Sequence, residues 1–150
     1  MATLIRNKQI SHDYKILEEF EAGFVLNGQE VKTIKSGLGS LRGAFVSIKD
    51  SSAYIKKMHI LIYSKASTQS KQNYNPDRDR RILLKKKEIS YLIGKTNQKG
   101  LTIVPISVYT TRRLIKVKIA LVKGKKKFDK RETIKQRDTQ RRILRKLKDF

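Results

Sequence analysis

Between residues 13 and 123 the apolar positions recur mostly every second residue, the period of a half-buried strand. Tyr14, Ile16, Glu18 and Phe20 alternate with their neighbours, and residues 23–28 follow, closing on the turn signal Asn27-Gly28. The spacing predicts two short strands there. Residues 30–35 fit one or two helical turns or a strand, and Gly37 and Gly39 end the segment either way. Residues 44–48 and 53–60 flank Lys49-Asp50-Ser51-Ser52 and read as a hairpin, whereas residues 63–75 offer little to bury and read as a mobile loop.

Pro76-Asp77 marks a helix start, because Pro is tolerated in a first turn and Asp complements the positive end of the dipole. Ile82, Leu83, Leu84, Ile89, Leu92 and Ile93 supply its apolar stripe, either unbroken or interrupted near Lys87, with Gly94 and Gly100 as stops. Two strong strands close the pattern. Pro105 lacks the donor that a central ladder position needs, so residues 101–109 must form an edge or carry a bulge. In the last strand Ile115, Val117, Ile119 and Leu121 alternate with Lys116, Lys118, Ala120 and Val122, which puts both lysines on the outer face. The expected fold is mainly β with helices: a small antiparallel barrel of the OB type with short flanking helices.

Charge changes the picture from fold to function. The chain has 150 residues, 36 Lys+Arg against 13 Asp+Glu, and a net charge of +23. That length suits one domain, and an excess of this size repels itself unless a polyanion neutralises it. Nucleic acid is the expected partner. The excess is uneven: through residue 30 there are three basic and five acidic residues, whereas residues 124–150 carry twelve Lys/Arg and four Asp/Glu. Within that segment Ile143, Leu144 and Leu147 share a stripe but Ile134 stands alone, so most turns have nothing to bury. Residues 1–123 are therefore expected to form an RNA-binding barrel. Residues 124–150 are expected to be a basic tail, disordered alone and helical once laid on RNA.

Chemistry narrows the class further. No cysteine is present, which excludes disulfides, thiolate metal sites and cysteine nucleophiles. The N-terminal stretch has no signal-peptide core, and no window approaches the ~20 apolar residues of a membrane helix, so a cytoplasmic protein without a membrane partner is expected. His12 and His59 are too few for a closed zinc site, and Gly37-Leu38-Gly39 lacks the rest of a nucleotide-binding turn. No catalytic group, metal or cofactor is expected. Alternation places Glu19 and Glu21 on one face and Glu18 on the other. Arg78, Arg80, Arg81, Lys85, Lys86 and Lys87 ring the expected helix, Lys116 and Lys118 line a strand, and Lys123, Lys125, Lys126 and Lys127 lead into the tail. Aromatic residues do not cluster as in single-strand readers, which favours a folded RNA gripped by shape and backbone.

Four ordered blocks carry a resemblance: Ala22-Gly23-Phe24-Val25-Leu26-Asn27-Gly28-Gln29-Glu30-Val31-Lys32, Pro76-Asp77-Arg78-Asp79-Arg80-Arg81-Ile82-Leu83-Leu84, Lys99-Gly100-Leu101-Thr102-Ile103-Val104-Pro105 and Gly124-Lys125-Lys126-Lys127-Phe128-Asp129-Lys130-Arg131. Together they resemble the small protein B family of tmRNA-binding proteins. The resemblance implies an OB-type barrel and a role in trans-translation, the rescue of ribosomes stalled on messages without a usable stop. It implies that the barrel binds the tRNA-like domain of tmRNA and that elongation factor Tu is met indirectly, through charged tmRNA. The tail would enter the empty mRNA channel by the decoding centre of the small subunit. It places RNA contacts on Asn7, Glu21, Leu83 and Lys116, and a tail motif on Asp129, Lys130 and Arg131. It also implies a bacterial cytoplasm or an organelle of bacterial ancestry. Gln9 and Ser11 stand where the family usually has basic residues, and Phe128 where some relatives carry His. A ribosomal or initiation-type OB protein shares the charge pattern, and an RNA-modifying enzyme would need a nucleophile and base that the sequence does not offer.

Overall fold

The computed structural model describes residues 2–65, 72, 74–125 and 140–142. In chain order the elements are β1 (Ala2–Arg6), α1 (Ile10–Asp13), β2 (Tyr14–Phe24), α2 (Gly28–Lys35), β3 (Phe45–Lys49), β4 (Ser52–Lys56), β5 (Arg80–Leu83), α3 (Lys86–Thr96), β6 (Leu101–Thr111) and β7 (Leu114–Gly124). The seven strands form one antiparallel sheet in the order β1-β6-β7-β2-β5-β4-β3. The sheet curls until β3 lies against β6, giving the expected small barrel with short flanking helices. Ala22, Ile55, Ile82, Val108, Val117 and Ile119 fill its interior, and Ile34 and Leu92 seal it from α2 and α3.

Two segments differ from the pattern-based expectation. Residues 14–24 are one strand, not two, because a bulge between Ile16 and Glu18 absorbs the break in alternation and keeps β2 paired to β7 along its length. Asn27-Gly28 then starts a helix instead of turning a hairpin. The Asn27 side chain accepts the Glu30 N–H at 2.9 Å, and the Glu30 carboxylate accepts the Asn27 N–H at 3.0 Å, so each satisfies a donor that the first helical turn would leave bare.

The helix expected from Pro76 begins ten residues later. Residues 80–83 alternate buried and exposed, and they pair with β4 and β2, so the apolar run Ile82-Leu83-Leu84 belongs first to a strand. Lys85 ends that strand in an extended conformation, and its N–H donates to the Glu88 carboxylate at 3.0 Å to begin α3.

The hairpin between β3 and β4 forms as expected, its turn made by Asp50 and Ser51 with φ of 51° and 62°. Pro105 sits at a register shift in β6, the bulge alternative. β1 had no periodic signal of its own; it is fixed by pairing with β6 a hundred residues away.

A second apolar cluster, Ile10, Val104, Ala120 and Val122, lies under α1. There the end of β7 is tied down: the Lys125 N–H donates to the Asp13 carbonyl at 3.0 Å and its Nζ to the Ser11 carbonyl at 2.7 Å. Lys126, Asp129, Lys130 and Arg131 lie outside the described residues, as does most of the expected tail, of which residues 140–142 are helical.

Candidate nucleic-acid interface

The register of three strands builds one polar groove. Gly23 of β2 stands opposite Lys116 of β7 and Leu83 of β5, while Glu21 stands opposite Lys118. Residues two apart on a strand share a face, so Glu21, Gly23, Leu83, Lys116 and Lys118 all look outward. Together with Leu84, Lys85 and Glu88, at the entrance to α3, most of them line a hollow of about 510 Å³. Gly23 keeps its floor low, since a Cβ there would fill the space against the Leu83 side chain, in van der Waals contact at 3.4 Å. Leu83 itself is 53% exposed, an apolar side chain presented to solvent at the centre of a charged groove.

Its electrostatics follow from cross-strand pairing. Lys116 Nζ lies 2.6 Å from Glu21 Oε1, and Lys118 Nζ 3.7 Å from Glu19 Oε2. The Lys116 hydrogen bond, assisted by the neighbouring Tyr109, holds the Glu21 carboxyl below its ordinary range. Glu21 is thus an ionised acceptor among cations. Glu18 lies on the other face, as the alternation predicts, and accepts from the Tyr91 hydroxyl of α3 at 2.7 Å. Chemically, the groove presents cations that can pair with phosphates, an apolar face at Leu83 that can pack on a planar ring or sugar, and at Glu21 an acceptor open only to a hydrogen-bond donor.

The three arginines do not act as a set. They lie along β5 and the segment before it, not around a helix. Arg81 is exposed and stands opposite Tyr54 of β4. Arg80 is fully buried: its Nε donates to Glu30 Oε2 at 2.5 Å, and its two NH₂ groups to the Met58 carbonyl at 2.7 Å and the Pro76 carbonyl at 2.8 Å. Arg78 pairs with the same Glu30 carboxylate. Arg80 is therefore withdrawn from the surface by the core, and Arg78 is half-buried in the same cluster. An arginine between two strand signals carries no mark that separates a surface cation from a buried partner.

Asn7 occupies a different edge. Its NH₂ donates to the Leu41 carbonyl at 3.1 Å, its Oδ1 accepts the Gln9 N–H at 3.2 Å, and its own N–H reaches the Ile106 carbonyl at 2.8 Å. It lines a second hollow of about 470 Å³ with Gln9, Asp13, Tyr14 and Arg42, beside the α1 carbonyls that hold Lys125. Among the described residues no group of three His, Cys, Asp or Glu comes together as a metal site, and each histidine pairs with an aspartate. Gly23 and Glu88, which line the groove, and Tyr109 beside it are residues that periodicity did not single out, whereas Lys85 was expected on a helix. Only the strand register, which sets Tyr109 opposite Lys116, brings them together.

Comparison with known proteins gives a consistent answer. The family model described as SmpB protein matches residues 4–149. The SsrA-binding protein of Shouchella clausii is 44% identical over 144 residues, covering 96% of this chain and 90% of the relative. That of Persephonella marina is 47% identical over 142 residues, covering 95% and 91%. A chain from a solved structure of tmRNA-SmpB in the bacterial ribosome is similar with a TM-score of 0.67 and 41% identity, covering 81% of this chain and 84% of that one. The chain belongs to the SmpB protein family.

Proposed function

We propose that this protein is a non-catalytic RNA-binding factor of trans-translation, working in the cytoplasm. Its barrel holds the tRNA-like domain of tmRNA and brings it to stalled ribosomes, where the basic tail occupies the empty mRNA channel so that the nascent chain is tagged. The observation that carries this reading is the Glu21–Leu83–Lys116 groove. It combines one ionised acceptor, one exposed apolar side chain and cations on a rigid sheet, in a chain similar over most of its length to SsrA-binding proteins. Asn7 supplies a second contact region on the adjoining edge, and Lys118 and Arg81 add phosphate contacts. Lys125 and Lys126 begin the ribosome-directed tail that continues through Asp129, Lys130 and Arg131.

The protein, affinity-purified from cells, is expected to retain tmRNA as its principal RNA and to sediment with ribosomes in substoichiometric amount. Stoichiometric ribosomal RNA without tmRNA would identify a ribosomal protein instead. Lys116→Ala is expected to weaken binding to the tRNA-like domain and to lower the salt slope by about one ion, the signature of one lost phosphate contact. An unchanged slope would mean that Lys116 does not meet a phosphate.

A further inference from the structure

Tyr109 stands on β6 opposite Lys116, which in turn stands opposite Gly23, so its ring shares the outer face with the Lys116–Glu21 pair. Although it faces outward it is only 3% exposed. Its hydroxyl is buried and makes no hydrogen bond of ordinary geometry among the described residues, although it lies near enough to the Glu21 carboxylate to help hold that group ionised. Burial, with the Glu21 carboxylate beside it, pushes the phenol well above its ordinary range, so it is a committed donor. A buried hydroxyl without a well-formed hydrogen bond carries a desolvation penalty that phenylalanine in the same space would avoid.

That donor gains a use if Lys116 is called away. In the free protein Lys116 Nζ sits on Glu21 Oε1 at 2.6 Å. A phosphate competes for the same ammonium, and when it wins, Glu21 loses its principal partner beside a polyanion. A carboxylate has acceptor sites enough for a hydroxyl and an RNA donor together.

We propose that Tyr109 is the positioning residue of this groove: as Lys116 turns to a phosphate, the Tyr109 hydroxyl donates to Glu21 and holds the carboxylate in place as acceptor for a base or sugar donor of the RNA. This rests on the reading that Glu21 and Lys116 meet RNA. Tyr109→Phe deletes the hydroxyl and keeps the ring, so the melting temperature is expected to be unchanged or higher. Its affinity for a transcript of the tRNA-like domain is expected to fall about ten-fold, the scale of one hydrogen bond to a charged group. The salt slope is expected to stay as in the wild type, because no phosphate contact is lost. In a Glu21→Ala background the same substitution is expected to have no further effect. Wild-type affinity for Tyr109→Phe, or an equal loss with and without Glu21, overturns the proposal while leaving the groove intact as a binding site. Wild-type affinity for both Glu21→Ala and Lys116→Ala overturns the groove reading and the proposal with it.

Discussion

Removal of residues 129–150 is expected to abolish tagging of stalled nascent chains while leaving affinity for the tRNA-like domain within about three-fold of the intact chain at ~0.15 M salt, where charges beyond ~8 Å are screened. The deleted segment carries nine Lys/Arg and four Asp/Glu, so it adds attraction for any RNA at low ionic strength. Affinities compared there would confuse steering with recognition. The groove and the Asn7 edge lie wholly in the body, on strands whose pairing ends at Gly124. Binding in a filter or fluorescence assay and tagging in a reconstituted stalled ribosome separate the two tasks. Joint loss of both would show that the tail is part of the tmRNA site, and retained tagging would remove it from the mRNA channel.

The largest effect on stability is expected from Glu30→Gln. Glu30 is fully buried, accepts from Arg78, from the Asn27 N–H and from Arg80, and so joins the start of α2 to the segment leading into β5. Tyr74 ties the same cluster to the Ile60 carbonyl at 2.8 Å. Burial pushes the Glu30 carboxyl up, but Arg78, the Asn27 N–H and Arg80 outweigh it and hold the group below its ordinary value. Glutamine presents an NH₂ where a guanidinium expects an acceptor, leaving Arg80 charged and uncompensated in the core. Breaking such a pair costs about 3–5 kcal/mol. For a chain of this length the melting temperature is expected to fall by roughly 10–15 °C. Replacing Arg80 by Met in the same variant removes the stranded charge and is expected to recover much of the loss.

The sign of the pH dependence follows from the same cluster. Because the folded value lies below the unfolded carboxyl value of 4.5, the contribution of Glu30 is complete above that value and is lost as the pH falls through the folded one. Acid melting curves of the wild type should show this loss, and those of Glu30→Gln should lack it. An unaltered melting temperature in Glu30→Gln would mean that the cluster contributes nothing to the fold.

Period-two alternation was enough to identify β7 and the outward placement of Lys116 and Lys118, because a half-buried strand writes its two faces directly into sequence. It was enough for the β3–β4 hairpin too, where both strands and their turn are contiguous. It failed at residues 76–85. The run Ile82-Leu83-Leu84 fits a helical stripe as well as a strand end, and what decides is pairing with β2 and β4, some sixty and thirty residues away. It failed again at Arg80, whose burial depends on an acid fifty residues earlier. The groove shows the same division. Glu21 and Leu83 are named as contacts through a family resemblance, Lys116 by strand alternation as well, and their proximity is a product of register that no local window contains. Tyr109 was legible only as one more apolar position in a strong strand.

The tail departs from the end of β7, and β7 is bonded on one side to β6 and on the other to β2. A pull applied to the tail therefore loads an interior strand along its length. Its ladder bonds lie across that direction and resist together in shear, whereas a chain leaving from an outer strand such as β1 would be peeled away one bond at a time. The Lys125 contacts to α1 take up strain before the ladder does. The body can thus remain folded, and its groove intact, under a load applied beyond Gly124.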